Sequence, residues 1–253
     1  MQLNLFEQAD KNKEYELIGK SLFLIKQKIL VIGDLHLGFE FMLREGGSLL
    51  PQTQIKQTID DLNEIFNYLK NRKVKINKIV FLGDIKHFFA YKSQEKNIFL
   101  DVMKVIEKHV SRENVILLKG NHEKIDIADR TFLTHYIYED TIFIHGDKFI
   151  PEIKDKSIKK VIMGHLHPAI RINDSQSNRS EKYKCFLIGK YKGKQFFILP
   201  SFFPLVEGSS VNDHVEKEAC IVPPEKLKTF NVFIVGDKNS IYDFGKLKSL
   251  ESD

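Results

Sequence analysis

The chain has 253 residues, of which 42% are apolar and 29% charged, an ordinary composition for a water-soluble chain able to fill a core. Two cysteines without CxxC spacing argue against a disulfide framework or a zinc knuckle, and no apolar run nears the roughly 20 residues that cross a bilayer. The formal net charge of +5 tolerates a polyanionic substrate without arguing for one.

Tyr15–Ile18 and Ser21–Ile25 read as two short antiparallel strands turned at Gly19-Lys20. Ile29–Ile32 follows as an unalternating apolar run, the pattern of a strand buried on both faces. Apolar positions 55, 59, 62, 65, 66 and 69 recur at spacings of three and four, so 52–72 reads as an amphipathic helix. Ile79–Leu82 is a second buried strand, and 93–109 a second helix with Ser93 as its expected N-cap. Val115–Leu118, Thr141–Ile144 and Val161–Met163 are further buried strands. Arg171–Lys184 is polar and reads as an exposed loop. Cys185–Gly189 and Gln195–Leu199 are strands joined through a Lys192-Gly193 turn, with Phe230–Val235 and Ile241–Phe244 after them. Strand alternating with helix is the α/β signature, and two packed sheets with helices outside are expected.

Five of the buried runs end in a glycine next to Asp, Asn or His: Gly33-Asp34, Gly83-Asp84, Gly120-Asn121, His145-Gly146 and Gly164-His165. In open α/β sheets ligands bind beyond the carboxyl ends of strands, so five such ends converging make a constellation. Asp34 and His36, like His165 and His167, are two apart and share a side on extended backbone. Carboxylate, amide and imidazole donors without thiolate suit Mn, Fe, Zn or Co and argue against a structural zinc. A lone strand-end histidine is more often a hydrogen-bonded structural residue than a ligand. Five of the nine histidines in this one context reverse that reading. His109, His135 and His214 lack it and are read as ordinary polar residues.

The ordered blocks GDLHLG, GDIKH, GNHE, HG and GHLH, spanning residues 33 to 167, resemble the calcineurin-like metallophosphoesterase superfamily. Within it the chain is similar to compact ICC-like phosphoesterases related to the SbcD nuclease, through Gly38-Phe39-Glu40 and Leu199-Pro200-Ser201-Phe202 with Gly208 and Asn212. The resemblance implies a four-layer αββα sandwich of two mixed sheets flanked by helices, as a single domain over 1–253. It implies a first metal held by Asp34, His36 and His167, and a second held by Asn121, His145 and His165, with Asp84 bridging. It also implies His122 as the catalytic histidine and a bridging hydroxide as nucleophile. His87 corresponds to a histidine that orients the phosphate in the SbcD-type nucleases. The expected cofactors are two divalent ions, manganese first, with iron, zinc, nickel or cobalt as alternatives.

Glu123 stands where the family more often has Asp, and Lys86-His87 replaces acidic or amide residues common in the phosphatases, which favours the nuclease side. Glu40 and Arg44 are within reach of a substrate pocket, Arg44 as a phosphate contact; the plainer reading is a solvated helix start. Pro200–Phe203 and Gly208 either fold back over the site or only close the second sheet.

The leading expectation is phosphodiester hydrolysis on nucleic acid or a nucleotide. Hydrolysis of a phosphomonoester, where Arg44 or Lys86 would meet the extra charge, is the alternative. A non-catalytic scaffold, as a retromer subunit of similar architecture is, is the third, and such scaffolds usually lack a ligand that is present here. The segment after His167 is too short for the DNA-binding and coiled-coil-docking modules of larger relatives, so no ATPase partner is expected. The opening residues, with Glu7 and Asp10, do not read as a signal segment, and a cytoplasmic location without membrane contact is expected.

Overall fold

The structure, a computed structural model, describes residues 13–47, 53–86, 93–121, 129–174, 179–213, 215–216 and 220–251. Among them the strands form two mixed sheets. The first contains β1 (Tyr15–Ile18), β2 (Ser21–Leu24), β3 (Ile29–Ile32), β4 (Lys78–Phe81) and β5 (Val115–Leu117), in that spatial order. β1 to β3 are antiparallel, while β3, β4 and β5 run parallel. Between them in the chain lie α1 (Phe39–Glu45), α2 (Gln54–Asn71) and α3 (Ser93–Ile106). α2 and α3 match the two sequence-predicted helices, but Ser93 is the first helical residue of α3 rather than the residue before it.

The second sheet is built on β6 (His135–Tyr138), β7 (Thr141–Ile144) and β8 (Lys160–Met163), with β7 and β8 parallel. β11 (Lys194–Ile198) pairs parallel with β8, and β10 (Arg179–Tyr191) antiparallel with β11. β9 (Pro168–Asp174), β12 (Ser209–Ser210), β13 (Asn231–Val235) and β14 (Ile241–Lys246) complete it.

The side-chain period of two sorts the strands into layers. Leu30, Ile32, Ile79 and Phe81 face α2 and α3, whose Leu62, Phe66, Phe99 and Val102 complete the first core. Their neighbours Ile29, Val31, Val80 and Leu82 point the other way, against Phe143, Ile162, Phe186 and Phe197 of the second sheet. The outer face of that sheet, with Val161, Met163, Leu187 and Ile198, is covered by Ile153, Leu227 and Leu247. Those three come from short helical turns at Pro151–Lys154, Pro224–Leu227 and Leu247–Leu250, so the αββα layering is present with a thin fourth layer.

The sequence expectation of a loop over Arg171–Lys184 is corrected. Arg171 pairs with Lys182 and Ala169 with Lys184 in an antiparallel ladder of β9 and β10. The stretch is polar because this end of the hairpin is solvated on both faces (Arg179–Tyr183 are exposed), so no apolar alternation marks it. No described helix is long and apolar enough to cross a membrane.

Candidate metal centre

β3, β4 and β5 are parallel within one sheet and β7 and β8 within the other, so their carboxyl ends gather along one edge. The ladder of β3 and β4 continues past the strands. His36 N–H and Leu35 N–H both donate to the Asp84 carbonyl, at 2.8 and 3.2 Å, and Leu37 N–H donates to Ile85 at 2.8 Å. Two loops that each carry expected ligands are thereby tied backbone to backbone. His36, Asp84, His165 and His167 all adopt positive φ, between 43° and 62°. That region costs an L-residue about 1–2 kcal/mol, and such strain collects where geometry serves function.

Six of the seven expected ligands fall into two groups whose donor atoms lie within 4.8 Å of one another: Asp34, His36 and His167, and Asp84, His145 and His165. In the first, His36 Nε2 and His167 Nε2 are 3.3 Å apart, and His167 Nε2 is 3.3 Å from Asp34 Oδ2. In the second, His145 Nε2 lies 3.1 Å from His165 Nδ1 and 3.5 Å from Asp84 Oδ2. The seventh residue, Asn121, joins this group with Oδ1 at 3.0 Å from the same nitrogen. The groups touch, since His145 Nδ1 is 3.3 Å from Asp34 Oδ1 and the His165 N–H donates to Asp34 Oδ2 at 3.1 Å. Asp34, His36, Asp84 and His145 are buried, while His165 and His167 are half-buried and Asn121 is exposed, which opens the centre to solvent on one side.

This arrangement fits divalent metal. His145 Nδ1 lies 3.0 Å from the Leu82 carbonyl, so that nitrogen carries the proton and Nε2 presents its lone pair to the oxygens and nitrogens around it. Asp34 Oδ1 is buried without a hydrogen bond. So many buried acceptors at close range call for a cation, and nitrogen with oxygen donors suits a first-row divalent ion. Gly83 makes the packing possible: its φ is +107°, and a Cβ there would come within 2.8 Å of His145 Nδ1 and of the Gly120 nitrogen.

Electrostatics agree with the geometry. Burial alone would raise the Asp34 pKa, but the imidazoles of His167, His145 and His36 outweigh it and hold the carboxyl below its ordinary value. Burial lowers His145, yet the carboxylates of Asp34, Asp84 and Asp147 overcome that and leave it raised. Burial and the neighbouring His145 push His165 down to about 4.

A family model described as calcineurin-like phosphoesterase matches residues 27–189. The chain belongs to that family. The matched stretch contains both candidate ligand groups of this calcineurin-like phosphoesterase. No curated protein matches the sequence. Among solved structures, the nuclease MPE of Pseudomonas putida is similar at a TM-score of 0.57 and 17% identity, covering 91% of this chain and 94% of that one. Vps29 of Entamoeba histolytica, complexed with zinc, is similar at 0.36 and 14%, covering 85% and 96%.

His122 and His87 lie outside the described residues. Arg44 is exposed in the last turn of α1. Glu40 is buried, which corrects the reading of a solvated helix start. Both its carboxylate oxygens are buried without a hydrogen bond among the described residues, and burial raises its pKa. Asp147, which acts on both His145 and His165, escaped sequence reasoning; its place two residues beyond His145 was the available signal. The Pro200–Phe203 segment packs under the site, because Phe202 N–H and Ser201 Oγ both donate to the Asp34 carbonyl, at 2.9 and 3.2 Å.

Proposed function

We propose that this phosphoesterase hydrolyses phosphodiester bonds at a centre of two divalent ions, manganese in the first instance. Asp34, His36 and His167 would hold one ion, and Asn121, His145 and His165 the other, with Asp84 between them. The observation that carries the reading is the contact of two three-ligand groups across His145 and Asp34, at 3.3 Å. Paired ions in such a site supply Lewis-acid stabilisation of the phosphate and lower the pKa of bound water.

The protein's own part is orientation and proton transfer. The Leu82 carbonyl fixes the His145 tautomer, and the paired strand-end loops fix His36 against Asp84. His122, which matches the histidine of the family's GNHE block, would stand beside the scissile phosphate and protonate the leaving oxygen as a positioned general acid. His87 would orient the phosphate, and Arg44, exposed on α1, would meet the substrate's remaining charge. The nuclease of shared fold makes nucleic acid and nucleotides the first substrates to try, and the cytoplasm is the proposed location.

The test is a panel on the manganese-loaded protein: bis-p-nitrophenyl phosphate, single-stranded DNA and cyclic nucleotides against p-nitrophenyl phosphate. Turnover of the diesters is expected to dominate. Turnover of the monoester alone overturns the diester reading, and inactivity on all four overturns hydrolysis.

A further inference from the structure

One half-buried cation has no part in the chemistry above. Lys184 stands in β10 opposite Ala169, just beyond the exposed run Arg179–Tyr183. Its stem turns inward instead of out to water. Burial, with the Lys20 ammonium nearby, holds its pKa well below that of an ordinary lysine. Nζ donates to the Ser201 carbonyl at 2.9 Å and to the Phe203 carbonyl. An amine keeps two N–H groups and an ammonium three, so both carbonyls are served in either state.

Those carbonyls flank Phe202, whose N–H donates to the Asp34 carbonyl at 2.9 Å, and Ser201 Oγ donates to that same oxygen at 3.2 Å. Lys20 stands 4.8 Å over the Phe202 ring and pairs with Asp61 at 2.5 Å. The 201–203 turn is therefore gripped on one side by Lys184 and on another by Lys20, and it grips the main chain of Asp34. Drawing an ammonium partly out of water carries a desolvation cost, which a fully solvated lysine at this register would avoid. Stability alone gives no reason for it. Two carbonyls of the turn that holds the Asp34 main chain give one.

We propose that Lys184 is a positioning residue for the first ligand group, setting the Asp34 backbone through the Ser201–Phe203 turn. The metal part of this rests on the reading that Asp34, His36 and His167 hold an ion; the link from Lys184 to Asp34 does not. Partners that orient a metal ligand typically affect metal affinity by about 10- to 100-fold when removed.

The experiment compares Lys184→Met, Lys184→Arg and Ser201→Ala with wild type and with Ile106→Val, a core change in α3. In the metal-free protein, hydrogen exchange at the Phe202 amide is the readout. Lys184→Met should speed it beyond the change at core amides, and Lys184→Arg should restore part of the protection. In manganese titrations followed by electron paramagnetic resonance, Lys184→Met should weaken one ion by about 10- to 100-fold, replacing the coupled two-ion signal by that of an isolated ion. Ser201→Ala, which removes only the hydroxyl on the Asp34 carbonyl, should do the same to a smaller degree and carries the test should Lys184→Met not fold. Unchanged Phe202 exchange, or equal weakening of both ions matched by Ile106→Val, overturns the proposal. Wild type that binds no ion would sink the metal reading, while Phe202 exchange would still decide the link.

Discussion

The second ligand group, Asp84, His145 and His165, is set by the strand ends and their immediate neighbours. Leu82, the residue after β4, accepts from His145 at 3.0 Å, and Gly83 yields the space for that ring. The first group is different. Asp34 is held by Ser201 and Phe202, and the His167 carbonyl accepts from the Ser209 N–H at 2.8 Å, so two of its three residues are supported from 200–210, beyond the matched stretch 27–189, while His36 is tied to the Asp84 carbonyl. One group is thus local to the sheet edges, and the other is braced by chain that arrives much later. Under the proposed two-ion reading, the difference teaches where each ion's affinity would be tuned: within the motifs for one, and far from them for the other.

The sharpest way to break this division is to remove a donor from each side. Under the bridging assignment, Asp84→Ala should lose both ions, whereas His36→Ala should keep one. Several kcal/mol of transition-state stabilisation correspond to on the order of 10³-fold or more in turnover, and Asp84→Ala should show the larger loss. Metal content by mass spectrometry decides it. One ion retained in Asp84→Ala would mean that the groups bind independently.

Backbone strain offers a graded version. Gly83 and Gly208 have φ of +107° and +97°, and a Cβ on Gly208 would meet the His167 carbonyl. Alanine at either should cost roughly 1–3 kcal/mol. Gly83→Ala should weaken the His145 ion and Gly208→Ala the His167 ion, each leaving the other, as read in stepwise manganese titrations. Equal loss at both sites from either variant would dissolve the contrast between them.

The residues of the two candidate groups were legible in the sequence because a buried strand, a turn and a polar residue recur as one short pattern. β3, β7 and β8 ended where their apolar runs ended and β4 one residue earlier, and Asp34, Asp84, His145 and His165 followed within three residues. What lay hidden was long-range or solvated. Lys184 sits at the junction of a polar and an apolar run, and nothing local says that its ammonium turns inward toward residues 17 and 19 positions later. The β9–β10 hairpin is exposed at its far end, so its main-chain ladder leaves no hydrophobic period to read. Glu40 was misread for a related cause: nothing in its own helix start marks the carboxylate as buried.

Protons should report on the second group. His145 is raised above 6.5 in the metal-free protein by Asp34, Asp84 and Asp147 against the opposing effect of burial. Its charge therefore stabilises the metal-free fold fully below pH 6.5, and that contribution fades as pH rises through the folded value. Metal needs the neutral ring, so affinity should climb by up to about tenfold per pH unit below that value and level off above it. His165, pushed down to about 4, is already neutral there and adds no slope. Manganese titrations across neutral pH, with His145→Gln as reference, check this. A slope that survives in His145→Gln would assign the proton elsewhere.

The smallest effects test how the late brace is itself held. Asn212 is buried and imitates a strand: Oδ1 accepts from Arg171 N–H at 2.9 Å, and Nδ2 donates to the Arg171 and Leu250 carbonyls at 2.9 and 3.1 Å. Its neighbour Asp213 pairs with the Arg171 side chain at 3.2 Å, but both groups are a third or more exposed. Asn212→Ala leaves buried partners unmet and should cost about 1–3 kcal/mol, whereas a solvated pair is worth at most about 1 kcal/mol. The segment that Asn212 pins also carries Ser209, whose N–H holds the His167 carbonyl. Asn212→Ala should therefore lower both the melting temperature and the affinity of one ion, while Asp213→Ala leaves the ion untouched. Were the two variants to weaken that ion equally, the charge pair would be the anchor and the backbone-like pairing of Asn212 incidental.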